Sequence, residues 1–259
     1  MSKNVRHNGA PPFSVSQNFL TSAKTIHRLL RLTSICKNDH VIEIGAGKGH
    51  ITKELVKICR GVSAFEIDRG LYEQLQKALS DIGNLKVMHG DFLKASLPKS
   101  GPYKVFSNIP FSITSDIMRK LTTIGNPPQE AWLVMEKGAA KRFMGKPCDT
   151  LRSILIKPFF DVKIDYYFSR QDFHPAPSVD VVLLHLTRKI QPDIPEPQQK
   201  SFANFMERSL KYGITRLLTK RQIAVALKLA GLPHIQASGT ILYVQWLCLF
   251  RCYRQLYGG

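Results

Sequence analysis

Acidic residues are scarce: 19 Asp and Glu stand against 37 Lys and Arg in 259 residues, leaving a formal charge of +18. That deficit disfavours a small-molecule substrate and points to a polyanion, because basic side chains gain affinity by displacing counterions from phosphates. Cysteine is equally uninformative as a framework. Cys36, Cys59, Cys148, Cys248 and Cys252 are odd in number and contain no CxxC pair, so neither a disulfide scaffold nor a zinc site is suggested, and no metal is expected. Cys248 and Cys252, four apart in an apolar helical pattern, read as core thiols. Met1 to Ala10 has no apolar core of a secretory signal. Ile241 to Phe250 is interrupted by Gln245 and is far short of a bilayer span. Without an amphipathic basic anchor or a lipidation signal, nucleic acid is favoured over acidic membrane as the polyanion, and the cytosol is the expected location.

What is present is ordinary globular composition, 44% hydrophobic and 22% charged, without internal repeats or low-complexity tracts. The length suffices for one α/β domain with a small appendage. Apolar, β-branched runs recur at Val41–Ile44, Val62–Ile67, Leu85–Met88, Tyr103–Ser107 and Ala131–Met135. Ile51–Cys59, Gly70–Leu79 and Ile113–Leu121, between them, carry apolar residues at helical spacing. This alternation predicts a largely parallel sheet covered by helices, with a ligand at the carboxyl ends of the strands. Lys163–Phe168 and Val179–Leu186 read as late strands. Residues 188–200, with three prolines in six positions, read as a linker, and Ser201–Tyr257 as a helical segment with eight Lys or Arg against the single acid Glu207.

The strand ends carry the chemistry. VIEIGAGKGH (41–50) places Gly45, Gly47 and Gly49 between a strand and a helix, where backbone can approach a ligand. The spacing is neither GxxxxGK[ST] nor GxGxxG. It suits an uncharged nucleoside tail better than a pyrophosphate, and a turn without a ligand is the alternative. Glu66 ends the next strand, where a carboxylate can accept from both ribose hydroxyls; Asp68 caps the following helix. Asp91, in HGDF (89–92), is either an acceptor for an adenine amine or a simple turn residue. Then comes SNIPF (107–111), either strand punctuation or a grip on a flat base. An amine conjugated to a purine is a poor nucleophile and barely basic, so acceptors that orient its two N–H bonds serve it better than a strong base. The Asn108 side-chain carbonyl and the Ile109 backbone carbonyl are such acceptors. Pro110 has no competing N–H, and Phe111 offers a stacking face.

Taken together, QNFLTS (17–22), EIGAGKG (43–49), FEID (65–68), GDF (90–92), SNIPF (107–111), VMEKGAAKRF (134–143) and FHPAPSVD (173–180) resemble the rRNA adenine N6-dimethyltransferases, the Erm and KsgA-type enzymes. The tail RLLTKRQIAVALKLAG (216–231), followed by Trp246, Leu249, Phe250 and Tyr253, resembles the Erm branch. The resemblance implies a Rossmann-like seven-stranded S-adenosylmethionine-dependent methyltransferase domain at 1–187, the Pro-rich linker at 188–200, and a small α-helical, basic RNA-binding domain at 201–259. It implies S-adenosyl-L-methionine as cofactor, with Asn18 and Leu20 covering its methionine end, Gly45 and Gly47 against it, Glu66 on the ribose and Asp91 on the adenine. Asn108 would stand between cofactor and target, and Phe173 would clasp the target base opposite Phe111. Where this chain has Phe111 the family more often has Tyr, so the ring is kept and the hydroxyl is lost. The implied activity is mono- and dimethylation of an adenine N6 amine in 23S rRNA, by a monomer acting before full ribosome assembly. Resistance to macrolide, lincosamide and streptogramin B drugs would follow. The alternatives are a KsgA-type enzyme of the small subunit and a catalytically silent RNA-binding assembly factor.

Overall fold

The computed structural model describes residues 18–123, 125–236 and 240–257. The readings made on Met1 to Ala10 and on Gln17 of QNFLTS lie outside them. In chain order the elements are β1 (Phe19–Leu20), α1 (Ala23–Arg31), β2 (His40–Ile44), α2 (His50–Leu55), β3 (Gly61–Glu66), α3 (Arg69–Ala78), β4 (Leu85–His89) and β5 (Lys104–Asn108). There follow α4 (Thr114–Thr123), β6 (Glu130–Glu136), α5 (Lys137–Met144), α6 (Leu151–Ile156), β7 (Phe160–Tyr167), β8 (Phe173–His174), β9 (Val181–Arg188), α7 (Gln199–Tyr212), α8 (Lys220–Leu229) and α9 (Tyr243–Tyr257).

Seven strands form one sheet in the order β4-β3-β2-β5-β6-β9-β7. The β2–β3, β3–β4, β2–β5 and β5–β6 pairs are all parallel. The chain runs outward from β2 to β4 and then crosses back to lay β5 on the other side of β2. That reversal opens a crevice at the carboxyl ends of β2 and β5, the place where open α/β sheets bind ligands. Central strands are buried on both faces and so read as continuous apolar runs: Val41, Ile42, Ile44, Val105, Phe106 and Trp132 to Met135 are all almost fully buried. Phe19 and Leu20 pair antiparallel with His174 and Phe173 in a separate two-stranded ribbon.

Two compact units share the chain. One runs to Lys137 and takes in Ile164–Leu184; the other comprises Gly138–Lys163 and the residues from His185 onward. In the second, α7 and α9 pack Phe202 and Phe205 on Phe250, with ring centroids 5.1 and 5.6 Å apart. The Pro-rich stretch lies in this unit and is tied down by Asp193: its carboxylate accepts from Lys189 at 2.8 Å and Tyr243 at 2.6 Å, and its backbone carbonyl from Arg251 at 2.8 Å.

Two expectations need correction. The helix expected over Ile51–Cys59 stops at Leu55, because the Asn84 amide donates to the carbonyls of Val56 and Cys59, at 2.9 and 3.1 Å, and draws the chain out of the helical path. Cys248 and Cys252 are only half-buried, lining a groove between α8 and α9 with Val225, Leu229 and Leu256; the Cys248 thiol contacts the Ala226 carbonyl. An amphipathic helix presents them at the rim of its apolar stripe, which periodicity cannot tell from its centre. Among the described residues no helix is long and apolar enough to cross a membrane, and no cluster of His, Cys, Asp or Glu is arranged to hold a metal.

Candidate active site

The glycine turn after β2 is anchored by the next strand: the N–H groups of Gly45 and Ala46 both donate to the Phe65 carbonyl, at 2.8 and 2.9 Å. At Gly47, with φ of 57°, an added Cβ would lie 2.8 Å from the Phe19 ring; at Gly49, with φ of 75°, it would lie 2.3 Å from Leu75. At 47 and 49 glycine is therefore demanded by backbone conformation and by this chain's own side chains, before any ligand is considered. Gly45 differs, since it borders both cavities described below and meets only Pro110, at an ordinary 3.9 Å.

Glu66 is buried at the end of β3. One carboxylate oxygen accepts from the Gly47 N–H at 2.7 Å and the other from the Asp68 N–H at 2.9 Å. Each oxygen keeps a lone pair. Asp68, as expected, caps α3 by accepting from Leu71 at 2.9 Å. Behind the glycine turn Glu43 is also buried and accepts from the Thr52 hydroxyl at 2.6 Å. Burial pushes its carboxyl up to about 8; the Thr52 hydrogen bond opposes that rise and the charge of Glu66 adds to it.

A cavity of about 170 Å³ opens between β2, β3, β4 and β5, lined by Gly45, Phe65, Ile67, Asp91, Phe92, Leu93 and Pro110 among others. Its lining side chains are apolar apart from Ser112 and Asp91; the Asp91 carboxylate accepts from the Leu93 N–H at 2.8 Å and shapes the turn. Phe92 packs edge-on against Phe65, centroids 5.3 Å apart. A second, smaller recess of about 30 Å³ lies on the other side of Gly45 and Pro110, lined by Asn18, Phe19, Asn108, Ile109 and Phe111. Here the Asn108 amide nitrogen donates to the Asn18 carbonyl at 2.7 Å. That bond fixes the amide plane and leaves its oxygen as the acceptor. The Ile109 N–H donates to Val134 at 3.3 Å, and none of the described residues donates to its carbonyl. Ser107, buried in β5, bonds the backbone of Ile44 and locks this strand end to β2.

A slot with apolar faces and one carboxylate at its edge, next to a polar recess with two carbonyl acceptors that none of the described residues claims, accommodates an adenosyl group on one side and an amine on the other. Residues 12–235 match the family model for ribosomal RNA adenine dimethylase. This chain belongs to that family. It is 38% identical over 239 residues to an rRNA adenine N-6-methyltransferase of Staphylococcus aureus, covering 92% of this chain and 96% of the relative. It is 36% identical over 241 residues to one of Lysinibacillus sphaericus, covering 92% and 95%. Among solved structures, the 23S rRNA methyltransferase ErmE superposes with a TM-score of 0.77 at 27% identity, over 92% of this chain and all of that one. A dimethyladenosine transferase from Plasmodium falciparum, 21% identical with a TM-score of 0.64 over 84% of this chain and 83% of that one, shares the fold.

The rRNA adenine dimethylase uses S-adenosyl-L-methionine as its methyl donor, with rRNA as substrate. The residues present fit the donor: the 170 Å³ slot takes a flat apolar ring and ends at the Asp91 carboxylate. Of the residues singled out by sequence, the structure gathers Asn18, Gly45, Asp91, Asn108, Ile109, Pro110 and Phe111 on the two cavities. Leu20, Gly47, Glu66 and Phe173 line neither. Leu20 and Phe173 are buried in the core, Phe173 with its ring 5.1 Å from that of Phe168. Sequence reasoning missed Phe19, Ile67 and Leu93 as lining residues. Ile67 had a local signal, since it directly follows Glu66 at the end of β3. Phe19 had none: its place depends on the distant pairing of β1 with β8.

Proposed function

We propose that this chain methylates the N6 amine of one adenine in 23S rRNA, once or twice, and thereby confers resistance to macrolide, lincosamide and streptogramin B drugs. What favours the large subunit is the likeness to ErmE over nearly the whole chain, at a TM-score of 0.77. In this reading Asp91 accepts from the cofactor's adenine, Glu66 uses its remaining lone pairs on the ribose, and Gly45 and Gly47 lie against the nucleoside. Asn18 and the backbone of Leu20 cover the methionine end. Bound S-adenosyl-L-methionine supplies an electrophilic methyl group.

The chain's own part is orientation. The Asn108 side-chain oxygen and the Ile109 carbonyl accept the two N–H bonds of the target amine, turning its lone pair toward the methyl as the nitrogen becomes tetrahedral. The recess has the volume of about one water molecule, so the base lies across its mouth on the Phe111 ring rather than inside it. Phe173, carried beside this rim by the β1–β8 ribbon, approaches from the opposite side once its packing on Phe168 opens. Unstacking the target costs a few kcal/mol, least for an adenine already in a loop or junction. The helical segment 201–257, with its eight cations, is the proposed RNA-binding domain, beyond a catalytic domain at 1–187 and the 188–200 stretch; the enzyme works as a cytosolic monomer on RNA that has not fully assembled. Incubating the purified chain and labelled donor with 23S-derived and 16S-derived transcripts tests this. Label in the 23S fragment, mapped to a single N6-methylated or dimethylated adenine, is expected; label in the 16S fragment alone would overturn it.

A further inference from the structure

The wall of the apolar cavity that carries Asp91 is a short turn, Gly90–Ala95, whose Leu93 N–H donates to the Asp91 carboxylate at 2.8 Å. The N–H groups of Lys94 and Ala95 reach back to the Asp91 carbonyl at 3.0 and 3.1 Å, and the carbonyls of Leu93 and Ala95 face α4. There the Lys120 ammonium donates to both, at 2.9 and 2.6 Å. It also stands 5.3 Å from the centroid of Phe92. All three contacts converge on one turn, and the side chain is half-buried in making them. Burial pulls the Lys120 pKa down, and the charge of Asp91, at the head of the same turn, acts against that pull. The other face of α4 buries Ile117, Met118 and Leu121, so the helix is anchored without this lysine.

We infer that Lys120 is a positioning residue of the adenine subsite: its ammonium fixes the Asp91–Ala95 turn so that the Asp91 carboxylate stands ready for the adenine amine and Phe92 and Leu93 form the wall. This rests on the reading of the cavity as the site of S-adenosyl-L-methionine. Two charge-assisted bonds to carbonyls are among the stronger hydrogen bonds a side chain makes, and a cation over an aromatic face adds to them. The turn's own backbone bonds close it on Asp91, and the lysine ties its Leu93 and Ala95 carbonyls to α4.

The test is calorimetric binding of two unreactive probes to the full chain, S-adenosylhomocysteine and its inosine counterpart, which lacks the amine that Asp91 would accept. Lys120→Met is expected to weaken S-adenosylhomocysteine by about tenfold or more and to shrink the wild-type preference for the adenosine probe. The rate of methyl transfer at saturating donor and the RNA affinity should stay within about twofold of wild type. Lys120→Arg, which keeps the charge, should recover most of the loss. Should the Met variant fail to fold, Lys120→Gln is judged by the same numbers. Unchanged affinity in the variant, or an equal loss for both probes, would overturn the inference while the cavity reading stands. A wild-type chain that binds neither probe would overturn the cavity reading and this inference with it.

Discussion

The two ends of the same sheet are built to opposite rules. At the amino-terminal end of β5, Lys104 is buried and saturated: its ammonium donates to the Ser34 carbonyl at 2.8 Å and to the Ser34 hydroxyl at 2.7 Å, and pairs with Asp39 at 3.0 Å and Glu130 at 3.4 Å. Burial alone would raise the Asp39 pKa, but the Cys36 N–H and Lys104 outweigh it and hold the carboxyl below its usual value. Four and five residues on, at the carboxyl end, the Asn108 side-chain oxygen and the Ile109 carbonyl accept from none of the described residues and stand beside a cavity. The lesson is that saturation marks the end that holds the fold, and acceptors unclaimed by the described residues mark the end proposed to do chemistry. A buried polar group without a partner is costly, so acceptors left open at the rim of a recess are in place for a ligand.

Substitutions at the two ends should separate cleanly. The largest effect is expected from Lys104→Met, which strands Asp39 and Glu130 without their cation and should cost about 3–5 kcal/mol of stability; urea melts measure it, and donor affinity of the folded fraction should not change. A variant that lost donor binding while keeping its stability would erase the distinction. At the other end Phe111→Ala, whose ring is partly buried against the core, should cost less stability than Lys104→Met while lowering methyl transfer by about tenfold to a hundredfold, the worth of one base-stacking face. Phe111→Tyr should be tolerated in the same assay, and a dead Tyr variant would show that the recess has closed around the missing hydroxyl. Gly49→Ala, whose Cβ would meet Leu75 at 2.3 Å in a left-handed conformation, should cost about 1–3 kcal/mol.

A further effect is a pH slope. Glu43 titrates near 4.5 unfolded and about 8 folded, so between these values the folded chain holds the extra proton, and this group's contribution to stability falls as pH rises. Glu43→Gln, which can still accept from Thr52, should flatten that part of the slope. Thermal melts across the same window would show the variant gaining on wild type toward the alkaline side. Parallel curves would mean that Glu43 is ionised throughout.

Much of this site was legible because a parallel sheet puts its ligand where its strands end, and strand ends can be read locally. Asn108 follows an apolar run by one residue and Asp91 by three, and both border a cavity. What could not be read depends on contacts distant in sequence. Lys120 serves a turn 25 to 27 residues earlier, and nothing around it in α4 distinguishes it from a solvated lysine. Phe19 enters the recess only because β1 pairs with β8, 155 residues away in register. The glycines were legible as glycines but not as to cause: Gly47 and Gly49 answer to Phe19 and Leu75, which no spacing rule names. Helix α2 ended early for a similar reason, through an amide donated from Asn84.

The central claim, that the carboxyl end of β5 orients the amine, is tested most directly by single-turnover methyl transfer with Asn108→Ala on a 23S-derived transcript, at saturating donor and RNA. A fall of about a hundredfold to a thousandfold, with donor and RNA affinities close to wild type, is the predicted result. Transfer at the wild-type rate would contradict it.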